Sequence, residues 1–281
     1  MTVSIAHLGP TGTYAEAAAI AYASWLTEET GQETILCPYP SIAQTIKATA
    51  QGKANIAVVP VENSIEGTVA ITLDTVWQLE ILQIQQAIVL PISHALISLA
   101  PNLNTIKTVY SHPQALAQCQ GWLEEFIPGV KPLAVNSTTE ALQNLNQDIY
   151  AGAIASTRAA EIYHLPVLAH PINDYPDNCT RFWVLSLQPS TSGTHTSLAF
   201  SVPANVPGAL LQPLQMFASR GINLSRIESR PTKRSLGDYL FFIDLEGDAS
   251  QTFVQSAIAE LAAYAETLKI FGSYKIFTKL P

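Results

Sequence analysis

From residue 3 to residue 187, short apolar runs alternate with segments whose apolar positions recur at helical spacing. Strands are predicted at 3–8, 34–37, 55–61, 84–90, 108–110, 133–135, 152–155 and 181–187, with helices at 14–26, 42–50, 114–126, 139–145 and 158–163. This alternation is the pattern of an α/β fold with mostly parallel strands. One region breaks the rhythm: LQIQQAIVLPISHALIS, 82–98, is long, alternating and interrupted by Pro91. A long strand with no helix after it suits a crossover between two lobes, with the return near 171–177. The expectation is a two-lobed region, lobe 1 at about 1–80 plus 173–188 and lobe 2 at about 81–172, with a cleft between them. Ligand sites favour such clefts.

The stretch QPSTSGTHT, 188–196, is small, polar and free of core residues, and reads as a linker over 189–196. Beyond it the pattern becomes strand 198–202, helix 209–220, strands 224–228 and 239–245, helix 251–264 and strand 269–274. The order βαββαβ is the ferredoxin-like arrangement. The domains expected are therefore 1–188 and 197–281.

Composition narrows the possibilities. A 281-residue chain with 48% hydrophobic and 13% charged residues builds filled cores. The net charge of −8 is uneven: residues 1–190 carry 6 Lys+Arg against 15 Asp+Glu, and the rest carries 8 against 7. Without a basic stripe, nucleic acid is excluded as a partner. For a small anion, the first 190 residues offer two arginines, Arg158 and Arg181. Cys37, Cys119 and Cys179 have no CxxC spacing, so reduced thiols in a cytoplasmic protein are expected, with no disulfide framework and no metal site. No apolar run approaches the roughly 18 residues of a membrane span, and the start MTVSIAHLGP has no basic leader region.

Three strand ends carry polar groups. In GPTGTYAE, 9–16, two glycines without a third and without a following lysine make nucleotide binding a poor reading. Thr13 and Glu16 fit a capping box, and the same turn could offer amides and hydroxyls to a carboxylate. VPVENSIEGTV, 59–69, puts Glu62, Asn63 and Ser64 at the C-terminal end of a strand, where open α/β sheets place ligands. YSHPQALAQC, 110–119, repeats this with Ser111, His112 and Gln114. His112 is a candidate acid or base, or simply a helix cap. No GxSxG is present, so a serine-nucleophile mechanism is not indicated. A fourth strand mouth, DNCTRFWVLS at 177–186, sets Thr180 and Arg181 before an apolar run.

In this order and spacing, GPTGTYAE, VPVENSIEG, YSHPQALAQC and NCTRF resemble the prephenate dehydratase family, and GALLQPLQMFASRGINLSRIESRP resembles its C-terminal ACT regulatory domain. The resemblance runs from Ile5 to about Tyr274. It implies a two-lobed catalytic region similar to periplasmic binding proteins and an ACT domain that binds L-phenylalanine. The reaction implied is that of a carbon–oxygen lyase converting prephenate to phenylpyruvate, water and carbon dioxide without cofactor or metal. The threonine of the family's TRF motif, Thr180 here, is implied to be catalytic. The usual GTYSE is GTYAE, so Ala15 lacks the family's hydroxyl.

The chemistry assigns expected roles. Expulsion of hydroxide needs a donor at the leaving oxygen, and Thr180 can hydrogen-bond there, with Glu62 and His112 as further candidates for the proton source. A strong pair to the departing carboxylate would stabilise the ground state more than the transition state. Arg181 is therefore expected on the retained carboxylate, with Asn63, Ser64, Ser111, Gln114, Thr13 and Phe182 around the substrate. Phenylalanine is expected at Gly208, Ala209 and Leu210, a helix start left bare for close approach, with Asn223, Leu224 and the ESRP residues Glu228, Ser229, Arg230 and Pro231. ACT pairing implies a homodimer or homotetramer. Arogenate dehydratase and a non-catalytic cytosolic sensor are the competing readings.

Overall fold

The computed structural model describes residues 2–79, 81–146 and 148–278. The expected bounds at residues 1, 80 and 281 lie outside them. The first lobe contains β1 (Val3–Leu8), α1 (Tyr14–Thr30), β2 (Thr34–Tyr39), α2 (Ile42–Ala50), β3 (Ile56–Asn63), β4 (Gly67–Thr68), α3 (Ala70–Gln78) and β5 (Gln83–Pro91). The second contains β6 (Ala95–Ser98), β7 (Thr108–Ser111), α4 (Pro113–Ala117), α5 (Gln120–Phe126), β8 (Lys131–Ala134), α6 (Thr138–Gln143), β9 (Ala151–Ala155), α7 (Thr157–Ile162) and β10 (Val167–Ala169). The chain returns to the first lobe as β11 (Cys179–Ser186). It then builds β12 (His195–Ser201), α8 (Leu211–Ala218), β13 (Leu224–Pro231), β14 (Tyr239–Glu246), α9 (Thr252–Tyr264) and β15 (Thr267–Thr278).

Among the described residues the strands form two sheets. The second lobe has the order β10-β6-β9-β7-β8. The other sheet runs β13-β14-β12-β15-β5-β11-β3-β1-β2 with β4 beside β3, and so spans both the first lobe and the C-terminal ferredoxin-like unit. The join is β15, which continues past the expected end at Tyr274 and pairs Lys275–Thr278 in parallel with Gln86–Val89 of β5. A periodicity ending at 274 does not reveal this, because the last residues of β15 find their partners in another domain. β4 and β10, of two and three residues, are too short for a periodic signal. The helix expected over 114–126 is two helices: Cys119, at φ −127° and ψ 13°, leaves helical geometry between them. The strand expected over 82–98 divides after Pro91 into β5 and β6.

Residue alternation along β11 decides what each face touches. Phe182 and Val184 pack under α1 with Ile5, Ala18, Tyr22 and Val58. The small side chains of α1 allow it to lie close on the sheet, and its ends are fixed by the Thr13 cap and by Gly31 at φ +70°. Trp183 and Leu185 point the other way, into a core shared with the C-terminal unit: Val59, Val61 and Leu73 meet Phe242, Phe271 and Tyr274. Phe242 and Phe271 stack at 5.8 Å with rings 2° from parallel. Full burial of a phenylalanine side chain contributes roughly 1.5–3 kcal/mol, so this is a firm interdomain core and not a tethered contact. The opposite face of the C-terminal sheet is covered by α8 and α9, with Leu198, Phe200 and Ile243 facing Phe217, Val254 and Leu261.

Candidate active site

A cavity of about 610 Å³ opens between the lobes. The first lobe supplies Thr13 and Tyr14 from the start of α1, Asn63 from the end of β3, and Thr180 and Phe182 from β11. The crossing segment contributes His94, and the second lobe adds His112, Gln114, Gln118, Asn136, Ser137 and Thr138.

At its floor lies a chain of side-chain amides. Asn63 Nδ2 donates to Thr180 Oγ1 at 2.9 Å, to Asn178 Oδ1 at 2.8 Å and to the Cys179 carbonyl at 3.1 Å. Asn63 Oδ1 accepts from the amides of Ile65 and Glu66, both at 3.0 Å, so the amide can sit only one way round. The Thr180 oxygen is thus used as an acceptor, and its own proton is left for the cavity. Asn178 Nδ2 donates to Gln118 Oε1 at 2.9 Å, and His94 Nε2 reaches the same oxygen at 3.0 Å. His94 therefore carries its proton on Nε2. Burial, against the Gln118 hydrogen bond, lowers the His94 pKa below 6.5 and favours the neutral ring. Burial also lowers that of His112, opposed by Glu66. Tyr14 sets its ring edge against His94 at 5.8 Å and donates to the Ser93 carbonyl at 2.5 Å. Burial above all, then the nearby Cys119 thiol, raises its pKa, and the phenol stays protonated.

Arg181 requires a correction. It does not line the cavity. Alternation places it on the sheet face opposite Thr180 and Phe182, where Nη2 lies 2.6 Å from Glu62 Oε2 and 2.8 Å from Asp244 Oδ2. Glu62, its register partner on β3, is turned to the same face. Ser111 is fully buried and donates to the Ile154 carbonyl at 2.7 Å. Ser64 Oγ accepts from the Cys179 amide at 3.0 Å. None of these four lines the cavity, whereas Thr13, Asn63, His112, Gln114, Thr180 and Phe182 do. Thr13 and His112 also act as helix caps, accepting from the Glu16 and Gln114 amides. Arg158 is committed as well: Nη1 pairs with Glu16 Oε2 at 2.7 Å, tying α7 to α1 across the lobes, and Ser156 Oγ donates to the Gly12 carbonyl at 3.3 Å. Burial opposes ionisation of Glu16, but the Gly12 amide and Arg158 hold its pKa below the ordinary value.

The family model for prephenate dehydratase matches residues 5–190, and that for the ACT domain matches 196–261. The prephenate dehydratase of Lactococcus lactis subsp. cremoris is 35% identical over 98% of this chain and 99% of its own. The crystal structure of Arthrobacter aurescens prephenate dehydratase in complex with L-Phe is 36% identical with a TM-score of 0.85, covering 97% of this chain and 90% of that one. A structure described as GqqA, a novel type of quorum quenching acylase, is 28% identical with a TM-score of 0.77, covering 98% and 97%.

The chain belongs to the prephenate dehydratase family. Within it, the ACT residues expected to take phenylalanine divide into two groups. Glu228 Oε2 accepts from Thr68 Oγ1 at 3.1 Å, and Arg230 Nε lies 3.1 Å from Asp74 Oδ1, so both ESRP side chains face the catalytic region. Ser229 and Pro231 are exposed on the other side of β13. Leu210 and Leu224 pack on the ACT core, Tyr264 donates to the Ala209 carbonyl, and Asn223 offers its carbonyl to Glu246. At Gly208 the requirement is conformational: φ is +85°, and a Cβ there would meet no atom within 4 Å.

Residues that the sequence reading passed over carry much of this site. Asn178 lies inside the quoted NCTRF, and Gln118 inside YSHPQALAQC, seven residues after Ser111. His94 sits in the crossing segment, away from any predicted strand end, whereas Asn136, Ser137 and Thr138 directly follow the strand predicted at 133–135 and lead into α6, a polar strand end of the same kind as the others.

Proposed function

We propose that this chain converts prephenate to phenylpyruvate, water and carbon dioxide, and that L-phenylalanine acting through the ACT domain restrains it. As the C1–carboxylate bond breaks, its electron pair enters the ring, the C4–oxygen bond breaks, and the leaving hydroxide takes up one proton to become water. The observation that supports this is the Thr180 hydroxyl: Asn63 caps its oxygen at 2.9 Å and frees its proton for a leaving oxygen in the cavity. An ordinary alcohol is a weak acid, so Thr180 acts by hydrogen bonding or as a relay.

The substrate's carboxylates would meet hydroxyl and amide groups of Gln114, Ser137 and Thr138, because none of the described residues lining the cavity is Lys or Arg. Neutral donors suit a carboxylate that must lose its charge, since they do not over-stabilise the ground state. An acylase reading is less well supported, as the hydrogen bond to Thr180 Oγ1 comes from an amide and not from a base that could activate a nucleophile.

We place the enzyme in the cytoplasm, where Cys37, Cys119 and Cys179 would remain thiols. Edge strand β13, with Ile227 47% exposed, is the surface available for pairing of ACT domains into a homodimer or homotetramer. The test is turnover. Phenylpyruvate should form from prephenate with kcat/KM well above that for arogenate, and micromolar to millimolar L-phenylalanine should suppress it. No phenylpyruvate from prephenate would refute the assignment.

A further inference from the structure

The TRF arginine is not free for the substrate, and the group that holds it comes from the regulatory domain. Asp244, on β14, is 1% exposed. Its Oδ2 accepts from Arg181 at 2.8 Å and its Oδ1 from Ser197 Oγ at 2.5 Å. Ser197 Oγ in turn meets the buried Tyr274 hydroxyl at 2.7 Å. Arg226 stands 3.8 Å from both Asp244 Oδ2 and Glu62 Oε1, and donates to Thr68 Oγ1 at 3.1 Å. Asp244, Arg181 and Arg226 are thus buried together at the seam between the domains, with the half-buried Glu62 at their edge. Burial works against the charge on Arg181, but Asp244, Tyr274 and Glu62 together raise its pKa above the usual value, and it stays ionised.

This cluster lies directly behind the reactive hydroxyl. In the β11–β3 ladder Arg181 is opposite Glu62, and the next pair is Thr180 opposite Asn63. On the far side of β3, Glu62 is opposite Thr68 of β4, which is held by Arg226 and Glu228 of β13. The ladder is also irregular here: the register shifts between Arg181 and Phe182. Both neighbours of Arg181, Thr180 and Phe182, line the cavity. A shifted ladder fixes side-chain direction less firmly than a regular one. The β11–β5 ladder stays in register from Cys179 to Val184, and on the shifted β3 side the Arg181 side chain, held by Glu62 of β3 and Asp244 of β14, adds a further restraint.

We propose that Asp244 is a positioning residue for the dehydration: by holding Arg181 it sets the aim of Thr180 and Phe182, so the ACT domain completes the active site as well as controlling it. This rests on the dehydratase reading for its kinetic test, though not for its structural one.

Asp244→Asn keeps the shape and the Ser197 contact but weakens the hold on Arg181. The expected result, without phenylalanine and per folded enzyme, is a fall in kcat of about tenfold or more with KM for prephenate within about twofold. In a Thr180→Ala background the same change should cost much less, because only the part that acts through Phe182 remains. Asp74→Asn is the control. Asp74 pairs with Arg230 and Lys233 across the same interface, and among the described residues none of its hydrogen bonds or ion pairs reaches β11 or β3, so Tm should fall with kcat unchanged. Independently of turnover, amide hydrogen exchange over residues 179–182 should speed up in Asp244→Asn and not in Asp74→Asn. If exchange over 179–182 and kcat are both unaltered by Asp244→Asn, or if Asp74→Asn reproduces its effects, the proposal falls. A wild-type protein that fails to turn over prephenate would overturn the dehydratase reading instead, and the exchange comparison would still decide the role of Asp244.

Discussion

Asn63 and Thr180 face each other across β3 and β11, and the Asn63 amide donates to the Thr180 oxygen at 2.9 Å. The direction of this bond, set by the two backbone amides on Asn63 Oδ1, turns a threonine of ordinary acidity into a donor aimed at the cavity. Asn63→Asp should keep the acceptor side and lose the donor side, so the Thr180 proton would be drawn back to the new carboxylate. The expected result is a kcat lower by about 10²-fold, the scale of one misdirected donor, with KM changed much less. Steady-state kinetics on prephenate measure this, and an unaltered kcat would mean that the Asn63 bond is only structural.

Thr180 itself separates hydroxyl from methyl. Thr180→Ser keeps the oxygen within reach of Asn63 and should hold kcat within about tenfold, whereas Thr180→Ala should lose roughly 10²- to 10⁴-fold, the range for a positioned proton donor. Equal losses in the two variants would assign the role to packing of the methyl group against the buried floor.

The two-lobed α/β pattern and the βαββαβ tail are legible in the sequence because each strand and helix carries its own periodicity. Most polar strand ends are legible too: Asn63, His112, Gln114 and Thr180 line one cavity. Arg181 misleads for a physical reason. In sequence it is adjacent to Thr180, but in a strand adjacent residues face opposite sides, and the side Arg181 faces is covered by the next domain, whose Asp244 lies 63 positions further on in the chain. Asn178 and Gln118 are uncharged amides whose importance comes from meeting each other at 2.9 Å, 60 positions apart. No local pattern encodes such a meeting.

The amide chain ends at His94, and this gives a pH prediction. In the folded protein burial keeps the His94 pKa below 6.5, while in the unfolded chain it returns to about that value. Between the two, the unfolded state binds more protons, so stability rises with pH through this window and is lost as pH falls below about 6.5. His112 adds to this in the same direction. The carboxylates with lowered pKa, Glu16, Asp74 and Asp248, act in more acid windows, below their ordinary 4.5, 3.8 and 3.8. The drop in Tm between about pH 7.5 and pH 5.5 should therefore shrink in His94→Asn. An unchanged drop would show that His94 does not titrate there.

Gly12 tests how closely the lobes must meet. Its φ of +90° disfavours any side chain, and a Cβ there would lie 2.8 Å from Thr139 Cγ2 and 3.3 Å from Ala159 Cβ, both on the second lobe. Gly12→Ala should therefore combine a local strain of about 1–3 kcal/mol with a push across the cleft, lowering Tm by several degrees and raising KM. Thr139→Ser removes the clashing methyl and keeps the hydroxyl that meets Ser137 Oγ at 3.4 Å. In the double variant Gly12→Ala/Thr139→Ser, KM should recover towards the wild-type value, because the wedge between the lobes is gone. Tm should recover only in part, because the backbone strain at position 12 remains. Full recovery of both would mean that the contact with Thr139, and not the conformation of Gly12, is what the sequence preserves at this turn.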